Sequence, residues 1–341
     1  MAKIEFNYSK GGVNRAGLAL ISDDKSAHGD AKAVLDNWRA CHVAPLNSFQ
    51  TSLRGQLSRI DSKALVSQRL KRTPSILSKL ERNPKMHLAR MQDIGGIRAI
   101  AQDMQKVRQI ESVYKKGTRV FSIVNGGKDY INYPKESGYR SVHMVFKCKN
   151  GFSIELQIRT VIQHAWATAV ETMGTFLDHS LKSSEGPEEW LNFFSLASSA
   201  FSILESTPRV PDHDKYSAYE VFDMLLKKEQ ELDVLNKLSG FRVVARHIEN
   251  DNKKGHYHLI ILNLDTKRAS IRTYTKKDVD TANIEYSKFE ALVSEGADLQ
   301  VVLVTSESIA ALRKAYPSYF LDAEMFAKQI ASVKKAIQKI K

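Results

Sequence analysis

The chain has 341 residues, 43% of them hydrophobic, and 51 Lys+Arg against 38 Asp+Glu give it a formal net charge of +13. That is apolar material for a full core and for two domains, and such a cationic excess favours a polyanion, nucleic acid or nucleotide, as partner. Its 2 cysteines, Cys41 and Cys148, exclude a disulfide framework and a cysteine zinc cage, and no run approaches the about 18 apolar residues of a membrane span.

The opening MAKIEFNYSKGG carries no apolar leader, so the expectation is a soluble chain in a reducing cytoplasm, without membrane contact. Residues 30–68 read as helices: Val34, Leu35, Trp38 and Cys41 give one apolar stripe, and Phe49, Leu53, Leu57 and Ile60 another. Thr73-Pro74 reads as the opening of a further helix, threonine capping it and proline fitting its first turn. Alternation in GIRAIA, SVHMVF and FSIELQI marks half-buried strands. Helix returns from VIQHAWATAVETMGTF through EEWLNFFSLASSAFSILE, and STPRVPDHD, with two prolines amid mixed charges, reads as a linker. Then AYEVFDMLLKKEQELDVLNKL is helical, and FRVVARHI, HYHLIILNL and ASIRTYT form a three-stranded meander. A helix near 286–294, a strand LQVVLVT and two helices complete a small α+β domain.

The charge is uneven, about +10 in residues 1–205 and about +3 beyond. Between Arg54 and Arg90 stand ten basic residues and only two acidic ones, Asp61 and Glu81. Such density suits phosphate neutralisation, with a solvated helical face as the plain alternative. Within it, QRLKRTPSILSKLER sets Arg69 and Lys71 in the approach to the Thr73 helix, and Ser75 and Lys79 four apart on one face. Free N–H groups, helix dipole, three cations and a hydroxyl would make an anion site there; an ordinary surface helix start has the same pattern.

In FSIELQIRT, period two puts Glu155, Gln157 and Arg159 on the face opposite Ile154, Leu156 and Ile158. Asp93 precedes the GIRAIA strand. Two carboxylates converging on a sheet could hold Mg²⁺ bridging phosphates, whereas a lone sheet glutamate is ordinarily just solvated. In DYINYPKESGYRSVH, Tyr139, Ser141 and His143 share one face while Val142, Met144 and Phe146 take the other. Gly138 would let the backbone approach a ligand. Tyr139 could stack on a base, a contact worth about 1–3 kcal/mol, with Lys135, Arg140 and His143 placed for phosphates. A tyrosine alone in such a place is more often packing.

These blocks, in this order, resemble the synthetase domain of the RelA/SpoT family of alarmone synthetases. Arg69-x-Lys71-x3-Ser75-x3-Lys79 resembles its ATP-binding segment, Asp93 its first magnesium ligand, GYRSVH the loop whose tyrosine stacks the acceptor base, and ELQIRT the strand with its catalytic glutamate. The resemblance covers about residues 30–205 and implies a nucleotidyltransferase-like mixed sheet flanked by helices. It implies a diphosphotransferase: an acceptor 3′-hydroxyl attacks the β-phosphorus of ATP and AMP leaves. Asp93 and Glu155 would be catalytic and hold Mg²⁺. Arg69, Lys71, Ser75, Lys79 and Arg98 would bind ATP. Lys135, Tyr139, Arg140, His143, Gln157 and Arg159 would bind the acceptor.

Two departures narrow the reading. Ser137 stands where many guanosine-using members carry Asn, which weakens a guanosine acceptor. The His-Asp hydrolase module of long members is absent, and the lone His213-Asp214 does not replace it. In layout the chain is similar to toxic small alarmone synthetases of the CapRel type, in which toxin and antitoxin are fused. That resemblance implies a toxin domain at 1–205, a helical linker at 206–239, and a pseudo-zinc-finger-like regulatory, phage-sensing domain at 240–341. It also implies pyrophosphate transfer to the 3′ CCA end of tRNA, and a YxxY motif, Tyr316 and Tyr319, covering the ATP site. The trigger would be a phage protein such as the major capsid protein, and the enzyme a monomer. Cutting the chain after about residue 205 should then free the toxin. The competing expectations are a (p)ppGpp or (p)ppApp synthetase with a regulatory tail, and a non-catalytic RNA-binding protein.

Overall fold

The strand pattern resolves into one mixed sheet in a computed structural model. It describes residues 5–116, 121–177, 179, 181, 184–238, 249–250, 257–263, 265–266, 268–305 and 323–340. Nine described strands are β1 (Leu65–Leu70), β2 (Gly95–Ala101), β3 (Phe121–Asp129), β4 (Val142–Cys148), β5 (Ser153–Thr160), β6 (Glu249–Asn250), β7 (Tyr257–Asn263), β8 (Arg268–Tyr274) and β9 (Leu299–Thr305). They lie in the order β3-β4-β5-β2-β1-β9-β7-β8-β6. The β2–β5 and β6–β8 pairs are parallel and the other pairs antiparallel, an α+β mixed sheet as expected.

The stretch Leu65–Leu70, read as the end of a helical region, is a strand. Its own pattern is indistinct because both neighbours bury it: β2 pairs along its whole length and β9 crosses at Gln68↔Thr305 and Arg69↔Val304. Strand identity here comes from tertiary pairing rather than local preference. The helices are α1 (Lys10–Leu20), α2 (His28–Ala40), α3 (Val43–Ile60), α4 (Thr73–Glu81), α5 (Met104–Lys115), α6 (Val161–Leu177), α7 (Glu188–Leu204) and α8 (Ala218–Leu232); α1 and α5 are not anticipated from the sequence, and the others fall where helix is expected. Two more follow, α9 (Val279–Ser294), which starts before the expected 286, and α10 (Glu324–Ile340). FRVVARHI and the Tyr316-Tyr319 motif lie outside the described residues.

One sheet face is dry. Ile97, Ala99, Met144, Phe146, Ile154 and Leu156 pack there against Phe49 and Leu53 of α3 and Val107, Ile110 and Tyr114 of α5. A second core joins α6, α7, α8 and α10, and a third joins α1, α2 and α4. The C-terminal strands β7 and β9 bury Leu259, Val301 and Leu303 against Ala282 and Tyr286 of α9.

Candidate active site

The other sheet face is polar, and its register aligns the functional side chains. Ser67 of β1 pairs with Arg98 of β2, Arg98 with Gln157 of β5, Gln157 with His143 of β4, and His143 with Lys128 of β3. One step along, Arg69 opposes Gly96 and Gly96 opposes Glu155. Lys128 reaches this row through a β-bulge after Val124. Gly127 turns that bulge with φ +89°, where a Cβ would stand 2.8 Å from the His143 carbonyl oxygen.

This face floors a cavity of about 670 Å³, lined by Arg69, Lys71, Lys79, Asp93, Arg98, Lys135, Tyr139, His143, Glu155 and Gln157. On one side, Asp93 bridges two ammonium groups, Lys71 Nζ at 2.8 Å and Lys79 Nζ at 2.9 Å. Burial would raise the Asp93 pKa, but the two lysines outweigh it and hold the carboxyl below its ordinary value. Burial likewise depresses the Lys71 pKa, with Lys79 and Arg69 adding to the effect against the pull of Asp93. This cluster of cations around one anion is a place for more negative charge.

On the other side, Glu155 Oε1 lies 2.9 Å from His143 Nδ1, and Gln157 Nε2 donates to Glu155 Oε2 at 2.8 Å. Burial alone would raise the Glu155 pKa; the hydrogen bond and charge of His143 and the Gln157 amide bring it below the usual value. The Asp93 charge works the other way, so the two carboxylates feel each other. In a neutral His143 ring, Nδ1–H donates to ionised Glu155 and Nε2 accepts from the Tyr139 hydroxyl at 2.8 Å. Lys135 Nζ sits 5.0 Å from the Tyr130 ring centroid and 5.5 Å from that of Tyr139. Tyr139 is 7% exposed and joins the core shared by α6 and α7, so its ring is largely packed rather than the open stacking face expected from the sequence.

The structure brings three expected residues elsewhere. Ser75 shares α4 with Lys79 but does not line the cavity. Thr73 is the first helical residue and Arg72 the cap position, without a side-chain cap. The Thr73 N–H, expected to face a ligand, donates instead to Glu290 of α9 at 2.9 Å, so the helix mouth already holds a protein carboxylate. Arg140 is buried, donating to Ser198 Oγ at 2.8 Å and the Pro208 carbonyl at 2.6 Å; the alternation that sends Tyr139 and His143 to the cavity sends it away. Burial lowers its pKa to about 10. Arg159 lies beneath the cavity, donating to His164 Nδ1 at 2.6 Å, and burial with the nearby Arg98 charge brings its pKa down to about 9.

Gly138 also changes role. With φ +87°, an added Cβ would lie 2.6 Å from Ser198 Cβ and 3.1 Å from the Trp166 ring, so it permits close packing on α6 and α7 rather than approach to a ligand. Cavity residues the sequence reading passed over include Arg90, Lys128 and Tyr130. Tyr130 lies inside the segment DYINYPKESGYRSVH, and the β3 bulge carrying Lys128 has a Gly126-Gly127 signature that marks it.

Among the described residues no group of three or more His, Cys, Asp and Glu forms a metal cage. Two ionised carboxylates facing one cation-lined cavity fit a hard divalent cation that takes its remaining ligands from phosphates and water. Among the described residues no helix is long and apolar enough to cross a membrane.

A cavity on the polar face of a mixed α+β sheet, with carboxylates set among cations, has the charge pattern that suits a phosphate ligand. The chain belongs to the RelA/SpoT family. Residues 68–175 match the region found in RelA / SpoT proteins. The GTP pyrophosphokinase YjbM of Bacillus subtilis is 34% identical over 155 residues, 41% of this chain and 67% of that protein. An uncharacterized protein of Mycobacterium tuberculosis is 29% identical over 183 residues, 53% of this chain, and the match spans 64% of that relative's length. The crystal structure of small alarmone synthetase 1 from Bacillus subtilis bound to its product pppGpp is 28% identical, covering 50% of this chain and 93% of that one with a TM-score of 0.42.

Proposed function

We propose that this chain is an ATP-dependent pyrophosphokinase that transfers pyrophosphate to the 3′-hydroxyl of the tRNA CCA end and so blocks translation. The observation that carries the reaction is the cavity itself, with Asp93 between Lys71 and Lys79 on one wall and the Glu155–His143–Tyr139 chain on the other. Arg69, Lys71, Lys79 and Arg98 hold the triphosphate and offset its charge, the main requirement of phosphoryl-type transfer. Glu155 takes the proton of the acceptor hydroxyl, and His143 keeps that carboxylate oriented. The acceptor oxygen bonds to the β-phosphorus, the bond from that phosphorus to the α–β bridging oxygen breaks, and AMP departs. Mg²⁺, held by Asp93 and Glu155, would neutralise charge on the phosphates.

The tRNA acceptor draws support from the exposed cations Lys85 and Arg90, since Arg90 lines the cavity and Lys85 adjoins its wall residue Met86. Backbone phosphates would engage Lys85, which does not line the cavity, where a free nucleotide bound inside it would not. Restraint by residues 240–341, with release by a phage protein such as the major capsid protein, rests on the resemblance to fused toxin–antitoxin chains. β9 of that segment pairs with β1, which carries Arg69, so a partner that moves it has a direct route to the site.

The second reading, a (p)ppGpp or (p)ppApp synthetase, is favoured by the relative named a GTP pyrophosphokinase and by a cavity large enough for mononucleotides. Incubation with ATP labelled in its β-phosphate and either tRNA or GDP and GTP separates the two. Label on tRNA is expected; label on the guanosine nucleotides alone refutes the tRNA acceptor.

A further inference from the structure

The turn Lys71-Arg72-Thr73 carries one cavity cation and leads into the helix that carries another, so its shape sets where both ammonium groups stand. Residues distant in sequence hold it. Arg39 of α2, 3% exposed, donates through Nε to the Lys71 carbonyl at 3.1 Å and through Nη1 to Thr73 Oγ1 at 3.0 Å. Glu290 of α9, 5% exposed, accepts from the Thr73 N–H at 2.9 Å and the Thr73 hydroxyl at 3.0 Å. The two close on each other, Nη1 to Oε2 at 2.8 Å and Nη2 to Oε1 at 3.4 Å. Tyr286 donates to Glu290 Oε1 at 2.7 Å, and its ring centroid lies 5.2 Å from the guanidinium carbon.

An ion pair that only ties α2 to α9 would need no more than its own two bonds. Here both partners also bind backbone groups of a single three-residue turn, the Lys71 carbonyl and the Thr73 N–H. The pair is buried, and burial would raise the Glu290 pKa, yet Arg39 and the Thr73 N–H keep the carboxyl below its ordinary value and ionised. Its charge also meets the positive end of α4.

We infer that Arg39 and Glu290 form a positioning clamp for the donor half of the site, by which the C-terminal segment sets the Lys71–Thr73 turn and so places Lys71 and Lys79 against the triphosphate. The inference rests on the proposed reading of those lysines as triphosphate-binding. It makes residues of the C-terminal segment a working part of the donor site, besides any restraint that segment imposes. Arg39 and Glu290 touch no substrate and act through the turn.

The test measures binding of a non-hydrolysable ATP analogue and, separately, of tRNA and GDP to full-length wild type, Glu290→Gln and Thr73→Val. Each is taken with and without Tyr316→Ala, so that a closed state does not mask the donor site. Glu290→Gln keeps the shape and removes the charge; Thr73→Val keeps the volume and removes one hydroxyl. Expected is roughly tenfold weaker analogue binding in Glu290→Gln, the effect of one charge-assisted hydrogen bond, and a smaller loss in Thr73→Val. Acceptor binding should not change, and Glu290→Asp should recover part of the analogue affinity. Unchanged analogue affinity with a lowered Tm overturns the clamp, as does a parallel loss of analogue and acceptor binding. If Glu290→Gln does not fold, Thr73→Val decides by the same comparison. Failure of every form, wild type included, to bind the analogue overturns the reading of the site, a result distinct from loss of the clamp alone.

Discussion

Asp93 stands between two ammonium groups, and that position governs both its titration and its replacement. Folding holds Asp93 and Glu155 below their ordinary 3.8 and 4.5, so the unfolded chain takes up the protons first as pH falls. Their stabilisation is therefore complete above those ordinary values and is lost as pH drops through the folded ones. Glu205 and Asp36, raised by burial, act with the opposite sign, stabilising at low pH and less as pH rises through their folded values. Asp93→Asn removes one contribution of the first kind, so the Tm gap between wild type and variant should narrow from about pH 5 to about pH 3. A constant gap would mean that Asp93 is not ionised between its lysines. Glu155→Gln should cut turnover by about 100-fold or more while ATP-analogue affinity stays within a few-fold, the pattern of a lost proton acceptor. A loss of equal size in analogue binding would instead make holding Mg²⁺ the dominant part played by Glu155. Lys79 and Glu155 were legible because helical and strand period place each on a face, whereas Lys71 in the approach to α4 and Asp93 before β2 lie outside any period and were assigned through the resemblance to RelA/SpoT synthetases. Arg140 and Arg159 were not, since a charge beside a site is indistinguishable in sequence from a charge buried beneath it.

At the scale of elements, Gly138 shows how one residue type can serve two geometries. A glycine before an aromatic reads as room for a ligand, and the structure gives the room to Ser198 and Trp166. Gly138→Ala should destabilise the fold by about 1–3 kcal/mol, because the left-handed φ and the contact with α7 both resist a Cβ. Thermal unfolding would show it as a lowered Tm with the residual activity per folded molecule little changed. A stable variant with weakened acceptor binding would restore the ligand reading. The strands β2, β4 and β5 and the long helices were legible because each buries one face on a regular period. β1 was not, because its Ser67 and Gln68 are buried between two partners, one of them supplied from beyond residue 300. The cap of α4 was hidden for the same reason: threonine and proline announce a helix start, but its anion comes from Glu290.

The whole molecule joins its two ends more closely than a toxin with a detachable cover requires. β9 continues the sheet from β1, Gln50 of α3 bonds Thr305 at 3.1 Å, and Asn47 bonds the Tyr257 hydroxyl at 3.0 Å. Phe326 of α10 is fully buried, its ring centroid 5.4 Å from that of Phe201 and 6.0 Å from that of Phe194. Phe222 and Leu225 of α8 enter the same core. Ending the chain near residue 205 would strip all of these at once, expose the α6–α7 aromatic surface and the edge of β1, and leave buried Arg39 without Glu290, with only the longer contact to Asp36 at 3.5 Å as an ion pair. The expectation that such a truncation simply frees the enzyme therefore changes: the short chain should give little soluble protein and no cooperative melting. Release without dismantling calls for a point substitution, and full-length Tyr316→Ala should stay soluble while slowing growth on expression and labelling tRNA faster than wild type. Soluble yield, melting curves and growth of cells carrying each version decide the matter. A truncated protein that melts cooperatively and kills would show that the shared sheet and core are dispensable, and would return the C-terminal segment to the role of a removable cover.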